Sequence, residues 1–124
     1  MRTTRFAAAI DFDGTIAETD FPIIIQPIPE ALQFIAECRS RGVAVILWTC
    51  RTGWQLDDAL VWCSQNRIRF DAVNCNLDDW QDNFRRLFPD VPTDCRKISA
   101  DIHIDDKNAG GVNWAAAFEW VRAL

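Results

Sequence analysis

The stretch that decides the fold covers residues 6–15 and reads FAAAIDFDGT. Its first part, Phe6–Ile10, is uniformly apolar, which is typical of a short parallel strand buried on both faces. The apolar run stops at Asp11, and a second acid, Asp13, follows before the turn-forming Gly14. The stretch therefore predicts a central strand whose carboxyl end carries two carboxylates.

Strand-like and helix-like segments alternate along the rest of the chain. Pro29 suits the first position of a helix, and Gly42 suits its end. After the first strand, the predicted elements are a loop or small flap over residues 14–28 with a short edge strand at Ile23–Ile25, a helix from Pro29 to Gly42, a strand at Val43–Trp48, a helix at Trp54–Asn66, a strand at Phe70–Val73, a helix at Asp78–Phe88, a strand at Ile102–Ile104, and a helix capped by Asn113 and ending at Val121. This alternation predicts an α/β fold with a Rossmann-like, doubly wound, mainly parallel sheet flanked by helices, in one domain over residues 1–124.

Composition limits the classes of function. The chain has 124 residues, of which 49% are apolar, and its formal charge is −5. An acidic globular chain of this kind is not expected to coat nucleic acid. The longest strongly apolar run, Val43–Trp48, is far too short to cross a bilayer, and Phe6–Ile10 is too short for a signal-peptide core. These features predict a cytoplasmic protein that does not bind membranes.

Cysteine, histidine and tryptophan add little direct chemistry. Five Cys without a Cys-x-x-Cys pair and a single His argue against a zinc site and favour reduced, mostly buried thiols, as at Cys38 and Cys63. The six Trp are expected to lie mostly in the core. The alternative for Trp54 or Trp80 is stacking on a substrate base or sugar beside an open cleft.

Two further predicted strands end in polar residues. Thr49-Cys50-Arg51 follows the strand at Val43–Trp48, and Asp105-Asp106 follows the strand at Ile102–Ile104. Ligands of open α/β sheets bind beyond the carboxyl ends of the strands, so these groups should meet Asp11 in one cleft. Crowded carboxylates stay ionised when a divalent cation lies among them, and an all-oxygen set suits Mg²⁺. We therefore expect the carboxyl groups of residues 11, 13 and 106 to meet around a single divalent ion.

The strand-end residues carry a family resemblance. Asp11-Phe12-Asp13-Gly14-Thr15 resembles the first motif of haloacid-dehalogenase-like hydrolases, and Thr49 resembles their second motif. Lys97 is similar to the basic third motif, and Asp105-Asp106 is similar to the acidic fourth. The four motifs occur in the family's order and span residues 6–108.

The resemblance implies a phosphatase that acts through an aspartyl-phosphate. It makes Asp11 the nucleophile and a metal ligand, and Asp13 the general acid/base with its backbone carbonyl on the metal. Thr49 would bind the phosphoryl group, and Lys97 would neutralise charge, with Arg96 as the substitute for Lys97. Asp106 would be a direct Mg²⁺ ligand and Asp105 a water-mediated one, although the order within this pair stays open. Gly14, Thr15, Cys50 and Arg51 are the predicted substrate-binding residues, while a surface position is the equal alternative for Arg51.

The spacing of the motifs implies a minimal, nearly capless member of the family. Residues 16–42 leave room only for a flap and a helix, and the core itself partly needs residues 50–96. An open cleft suits either a large substrate or closure by a second subunit of a homo-oligomer, and both stay open. The phosphorylated substrate is not identified by the sequence. The competing function is a non-enzymatic module that accepts or binds phosphate, either a receiver-like domain or a degenerate family member.

Overall fold

The computed structural model describes residues 4–93 and 97–124. Over those residues helices and strands alternate much as predicted, with one additional strand. In chain order the elements are β1 (Ala7–Ile10), β2 (Ala17–Asp20), β3 (Ile23–Pro27), α1 (Pro29–Ser40), β4 (Ala44–Leu47), α2 (Gly53–Gln65), β5 (Ala72–Val73), α3 (Asp78–Leu87), β6 (Ile102–Ile104) and α4 (Trp114–Arg122).

The strand β1 lies inside a parallel sheet with the order β5-β4-β1-β6. It pairs with β4 on one side, from Ala7 opposite Ala44 to Ile10 opposite Leu47, and with β6 on the other. All 4 residues of β1 are buried, as expected for a strand covered on both faces. The predicted α/β fold with a parallel sheet flanked by helices is confirmed, and this sheet is compatible with a Rossmann-like fold.

Alternate residues of β1 point into two different apolar clusters. Ala8 and Ile10 belong to a large cluster formed with α1, α2 and α4. Ala7 and Ala9 belong to a smaller cluster on the opposite face, where Trp80 of α3 packs. Both faces of the sheet are therefore covered, and the carboxyl ends of its strands lie beyond the packed layers.

The predicted flap is a two-stranded antiparallel hairpin. The strand β3 contains the predicted edge strand at Ile23–Ile25, and it pairs with β2, which the sequence did not predict. The sequence of β2 is AETD, and acids and alanine have low β-propensity, so only the pairing reveals this strand. The turn of the hairpin lies at Phe21 and Pro22.

Element ends differ from the predictions by a few residues. The helix α1 begins at Pro29 as predicted, and Gly42 follows its end with φ +71°. Asn113 caps α4, because its Oδ1 accepts the backbone N–H of Ala116 at 3.0 Å. The strand β5 is shorter than the predicted Phe70–Val73, because the carboxylate of Asp71 accepts the N–H of β4 that a longer strand would bind.

The buried thiols and the tryptophans agree with the predictions in part. Burial raises the pKa of the Cys38 and Cys63 thiols to about 12, whereas Cys50 and Cys75 are exposed. Four of the tryptophans, Trp62, Trp80, Trp114 and Trp120, pack against the two clusters. The other two do not: Trp48 is 36% exposed and Trp54 is 59% exposed. None of the helices in the described parts of the chain has both the length and the apolarity that crossing a bilayer requires.

Candidate functional site

The carboxyl ends of β1 and β6 bring three carboxylates together. Ile10 pairs with Ile104 in parallel register, so the residues that follow the two strands lie at the same edge of the sheet. The backbone N–H of Asp11 donates to the carbonyl of Ile104 at 2.9 Å and extends this pairing. One carboxylate oxygen from each of Asp11, Asp105 and Asp106 lies within 4.8 Å of the others. We call these three residues the acidic cluster.

Thr15 connects Asp11, which follows β1, to Asp106, which follows β6. Its hydroxyl donates to Asp11 Oδ2 at 3.2 Å and accepts the backbone N–H of Asp106 at 3.0 Å. The side chain is completely buried. The backbone N–H groups of Thr15 and Ile16 donate to the carbonyl of Phe12, which closes a tight turn after β1. Thr15 therefore positions Asp11, and its contact with substrate stays a prediction.

Gly14 makes room for Asp106. Its φ of +78° lies in the region that favours glycine. A Cβ placed on Gly14 would overlap Asp106 Oδ2. A larger residue would push that carboxylate away from Asp11, so Gly14 is required for the geometry of the acidic cluster.

The acidic cluster combines negative charge with partial burial. Burial, followed by the negative charge of Asp105, raises the pKa of Asp11 from 3.8 to about 7, although the hydrogen bond from Thr15 acts in the opposite direction. Asp106 Oδ1 is buried and has no hydrogen-bond partner among the described residues. A buried acceptor without a donor is costly, and a cation would satisfy it. The oxygen-only donor set of the cluster suits a hard divalent cation.

The carboxylate of Asp13 does not join the acidic cluster. Its Oδ2 accepts from Arg51 Nε at 2.9 Å, and its Oδ1 accepts from Arg51 Nη2 at 2.7 Å and from the Thr19 hydroxyl at 2.9 Å. Burial raises the pKa of Asp13, but the hydrogen bonds from Arg51 and Thr19 outweigh burial and keep this pKa below its usual range. The expectation that residues 11, 13 and 106 meet is therefore corrected for Asp13, because a bidentate arginine pair holds its carboxylate elsewhere. Its backbone carbonyl stays a predicted metal ligand.

Arg51 is a buried structural cation in this conformation. Its side chain is 1% exposed, so the alternative of a surface arginine is wrong. Besides Asp13, it donates to the carbonyl of Gln55 at 3.1 Å and to that of Pro22 at 3.2 Å. The rings of Phe12 and Phe21 lie with their centroids 5.0 Å from Arg51 Cζ. These protein groups occupy the guanidinium, and its contact with substrate stays a prediction.

Thr49 and Cys50 lie at the same edge, after β4. The Thr49 hydroxyl accepts the backbone N–H of Arg51 at 3.1 Å, and the Thr49 N–H donates to Asn74 Oδ1 at 2.8 Å. Asn74 has φ +55° and its own N–H donates to Leu47, so it ties β4 to the end of β5. Sequence reasoning missed Asn74, although an Asn directly after a strand is a known signal for positive φ. Thr49 is partly buried, and Cys50 is exposed.

The basic residue of the predicted site has two candidates. Lys97 is exposed, and its predicted proximity to Asp11 stays a prediction. The alternative, Arg96, lies outside the described residues. A lysine that the sequence reasoning did not select, Lys107, has its Nζ 4.0 Å from Asp106 Oδ2. Its side chain is 86% exposed, so it screens the cluster only weakly.

The comparisons with known proteins give one informative match. Searches of protein-family models and of curated proteins returned no match. The chain is similar to a solved structure of a conserved protein from Bacteroides thetaiotaomicron, with 32% sequence identity and a TM-score of 0.76. The alignment covers 97% of this chain and 92% of that one. Because identity at this level extends over nearly the whole of both chains, this chain belongs to the same family as that conserved Bacteroides thetaiotaomicron protein.

Proposed function

We propose that this chain is a Mg²⁺-dependent phosphohydrolase of the haloacid-dehalogenase-like type, with Asp11 as its nucleophile. The observation that carries the proposal is the acidic cluster, in which the buried Asp106 Oδ1 has no hydrogen-bond partner among the described residues. Two parallel neighbouring strands build this cluster at the edge of the sheet where α/β proteins bind ligands. Between the first two motifs the described elements are the hairpin, α1 and the core strand β4, and this short connection supports a nearly capless type.

The acidic cluster is where the cation would be held. Asp11, Asp105 and Asp106 would supply side-chain oxygens, and the Asp13 backbone carbonyl would supply another. When bound, Mg²⁺ would offset the negative charge of the cluster and of a phosphoryl oxygen. The fit rests on the donor chemistry, because hard carboxylate and carbonyl oxygens are the ligands that Mg²⁺ prefers.

The chain's own residues supply the two chemical steps. In the first, an oxygen of Asp11 attacks phosphorus, the bond to the leaving oxygen breaks, and that oxygen takes a proton from Asp13. In the second, water attacks the phosphorus of the acyl phosphate, its proton passes to Asp13, and Asp11 is released with inorganic phosphate. Thr49 would hold phosphoryl oxygens, and Lys97 would offset their charge.

The pair of Asp13 with Arg51 sets a condition on this assignment. A carboxylate held by an arginine favours its ionised form, which suits the acceptance of a proton from water. The first step needs Asp13 protonated and directed at the leaving oxygen. Asp13 must therefore exchange its contact with Arg51 for one with substrate during the cycle.

The same observation favours a second candidate, a module that accepts or binds phosphate without turnover. If both carboxylate oxygens of Asp13 stay bound to Arg51, Asp13 is not directed at the attacking water, and a phosphoryl group on Asp11 would be hydrolysed slowly. The lifetime of that group after addition of an acyl phosphate, followed by intact-protein mass, separates the candidates. Seconds or less supports the phosphatase, and a stable adduct supports the module.

The direct test of the phosphohydrolase is phosphate release from a broad panel of phosphate monoesters. We expect release to need Mg²⁺ and to be lost in Asp11→Asn. The matched control is Asp82→Asn, which makes the same change at a helix position whose side chain is 78% exposed. Full activity in excess chelator, or an active Asp11→Asn variant, would contradict the proposal.

A further inference from the structure

An apolar groove runs between the hairpin and α2, next to the candidate site. Its volume is about 480 Å³, and its apolar lining comes from Pro22, Ile23 and Ile24 of the hairpin and from Trp54, Val61 and Trp62 of α2. The volume lies within the range of small-molecule sites. From Trp54 to Val61 the groove follows two turns of α2, roughly 10 Å at 1.5 Å per residue.

Arg51 connects this groove to the acid/base candidate. The guanidinium that binds the Asp13 carboxylate also donates to the carbonyl of Pro22, which lines the groove. It lies under the ring of Phe21, the neighbour of Pro22. The proposed chemistry directs Asp13 at the leaving oxygen of the substrate. A group attached to that oxygen therefore lies beside this end of the groove.

Large apolar side chains at and beside the groove are exposed. Phe21 is 60% exposed, Ile23 64%, Trp54 59% and Val61 57%. Single exposed apolar residues are ordinary, whereas several around one concave surface indicate a binding site. Covering them with an apolar ligand would remove this surface from water.

The charges around the groove select against an anionic occupant. The one charged residue among its described lining residues is an acid, Asp58. Glu18 and Asp20 are exposed on β2 of the adjoining hairpin. The nearby cation, Arg51, is already paired with Asp13. A second phosphate, or the backbone of a nucleic acid, would meet negative charge here without a free cation among those residues.

We propose that this groove is the leaving-group subsite, and that the substrate is a phosphate monoester of an uncharged, apolar alcohol. The inference rests on the proposed function and narrows its substrate class. It places the phosphoryl group at the acidic cluster and the apolar part of the alcohol along α2. The side chains of Trp54 and Val61 then contact successive parts of that alcohol.

The test compares straight-chain phosphate monoesters, because their leaving groups differ in apolar length and hardly in acidity. Each fully buried methylene is worth about fourfold, so the four additional methylenes of hexyl phosphate could raise kcat/KM by at most about 250-fold. Because the side chains of the groove are themselves exposed, burial of the alkyl chain is incomplete, and we expect kcat/KM for hexyl phosphate to exceed that for ethyl phosphate by about 10- to 100-fold. Trp54→Ala should bring this ratio towards one. Ile25→Ala, which removes an exposed side chain of the same hairpin outside the groove lining, should leave the ratio unchanged. The bisphosphate of hexane-1,6-diol should be at least about tenfold poorer than hexyl phosphate, and Asp58→Lys should reduce that difference.

A binding measurement separates this inference from the proposed function. Hexylphosphonate and ethylphosphonate are titrated into the Mg²⁺-loaded protein by calorimetry, which needs no turnover. Tighter binding of hexylphosphonate, together with no phosphate release from either ester or from the broad panel of monoesters, would contradict the phosphohydrolase and support the groove as a binding site for the apolar part of the ligand. Hydrolysis of both esters with a ratio near one would support the phosphohydrolase and overturn the subsite. Equal binding of the two phosphonates, or a concentration-dependent dimer that Trp54→Ala dissociates, would also overturn it.

Discussion

Removing the charge of Asp11 should stabilise the metal-free protein at alkaline pH. The folded chain holds the pKa of Asp11 at about 7, against 3.8 for an ordinary aspartate, because of burial and the neighbouring acids. Between these two values the folded state binds a proton that the unfolded state does not. The free energy of unfolding therefore falls as pH rises from about 4 to about 7. Asp11→Asn removes this dependence, because the amide has no proton to lose.

The structure sets an upper limit on the effect. A difference of roughly 3 pKa units corresponds to about 4 kcal/mol at 1.4 kcal/mol per unit. Asp11 is only partly buried, so solvent screening makes the measurable part smaller. We expect Asp11→Asn to gain about 1–3 kcal/mol over the wild type at pH 8. At roughly 3–5 °C per kcal/mol for a chain of this size, the melting temperature should rise by several degrees.

The assay is urea unfolding in excess chelator at several values between pH 4.5 and 8. The free energy of unfolding of Asp11→Asn should exceed that of the wild type only slightly at pH 4.5. This excess should grow as pH rises towards about 7. Asp82→Asn is the control, and its free energy of unfolding should differ from that of the wild type by an amount that does not change between pH 4.5 and 8. Added Mg²⁺ should stabilise the wild type at pH 8 and stabilise Asp11→Asn much less. This account of the acidic cluster would be refuted if the stability difference between Asp11→Asn and the wild type did not change with pH, or if Asp11→Asn were less stable than the wild type at pH 8.

Three further substitutions test the surroundings of the acidic cluster. Gly14→Ala combines a positive φ with a methyl group that displaces the carboxylate of Asp106, so it should cost about 1–2 kcal/mol of stability and abolish the stabilisation by Mg²⁺ in thermal unfolding. Thr15→Val removes a buried hydroxyl and should cost about 1–3 kcal/mol in urea unfolding, with weaker Mg²⁺ binding by calorimetry. Arg51→Met leaves Asp13 without its cation and should cost about 3–5 kcal/mol. The double variant with Asp13→Asn should recover part of that loss. If the losses in free energy of unfolding, measured by urea unfolding of both single variants and the double variant, were additive, they would contradict the observed pair.

The sheet and the acidic cluster were predictable from short local patterns. Residues 6–10 and 102–104 are apolar runs that stop at acids, and parallel strands at the centre of an α/β sheet have this pattern. Because the carboxyl ends of such strands share one edge, the proximity of Asp11 to Asp105 and Asp106 was expected if the two strands are neighbours, and β1 and β6 are neighbours in the sheet. No contact between individual side chains had to be known.

The strand β2 and the contacts of the flap were not predictable in the same way. The sequence of β2 contains two acids, and its strand conformation depends on pairing with β3 rather than on its own propensity. The pairing in turn depends on the turn after Phe12, whose carbonyl accepts several backbone N–H groups. Residues that acquire their conformation from a partner leave little signal in their own composition.

Arg51 marks the limit of reasoning from strand ends. Arg51 and Asp13 follow the neighbouring strands β4 and β1, and this fact predicts that they are close. The strand order does not predict whether the guanidinium binds an anionic ligand or the Asp13 carboxylate, because either partner would neutralise its positive charge. The choice follows from burial: Phe12 and Phe21 flank the guanidinium, and a buried cation without an ionised partner would be severely destabilising.

The contacts of Arg51 also determine how substrate could reach Asp13. A single guanidinium binds Asp13, the turn of the hairpin through Pro22, and the first turn of α2 through Gln55. A displacement of the hairpin that breaks the contact with Pro22 leaves a donor of a buried cation unpaired, and that donor must find a new acceptor. Under the proposed function, an incoming phosphoryl oxygen would provide such an acceptor, and its arrival would also release Asp13 from the pair. The position of the hairpin and the availability of Asp13 are therefore coupled through one side chain, so ligands that fill the groove beside Pro22 should act on both.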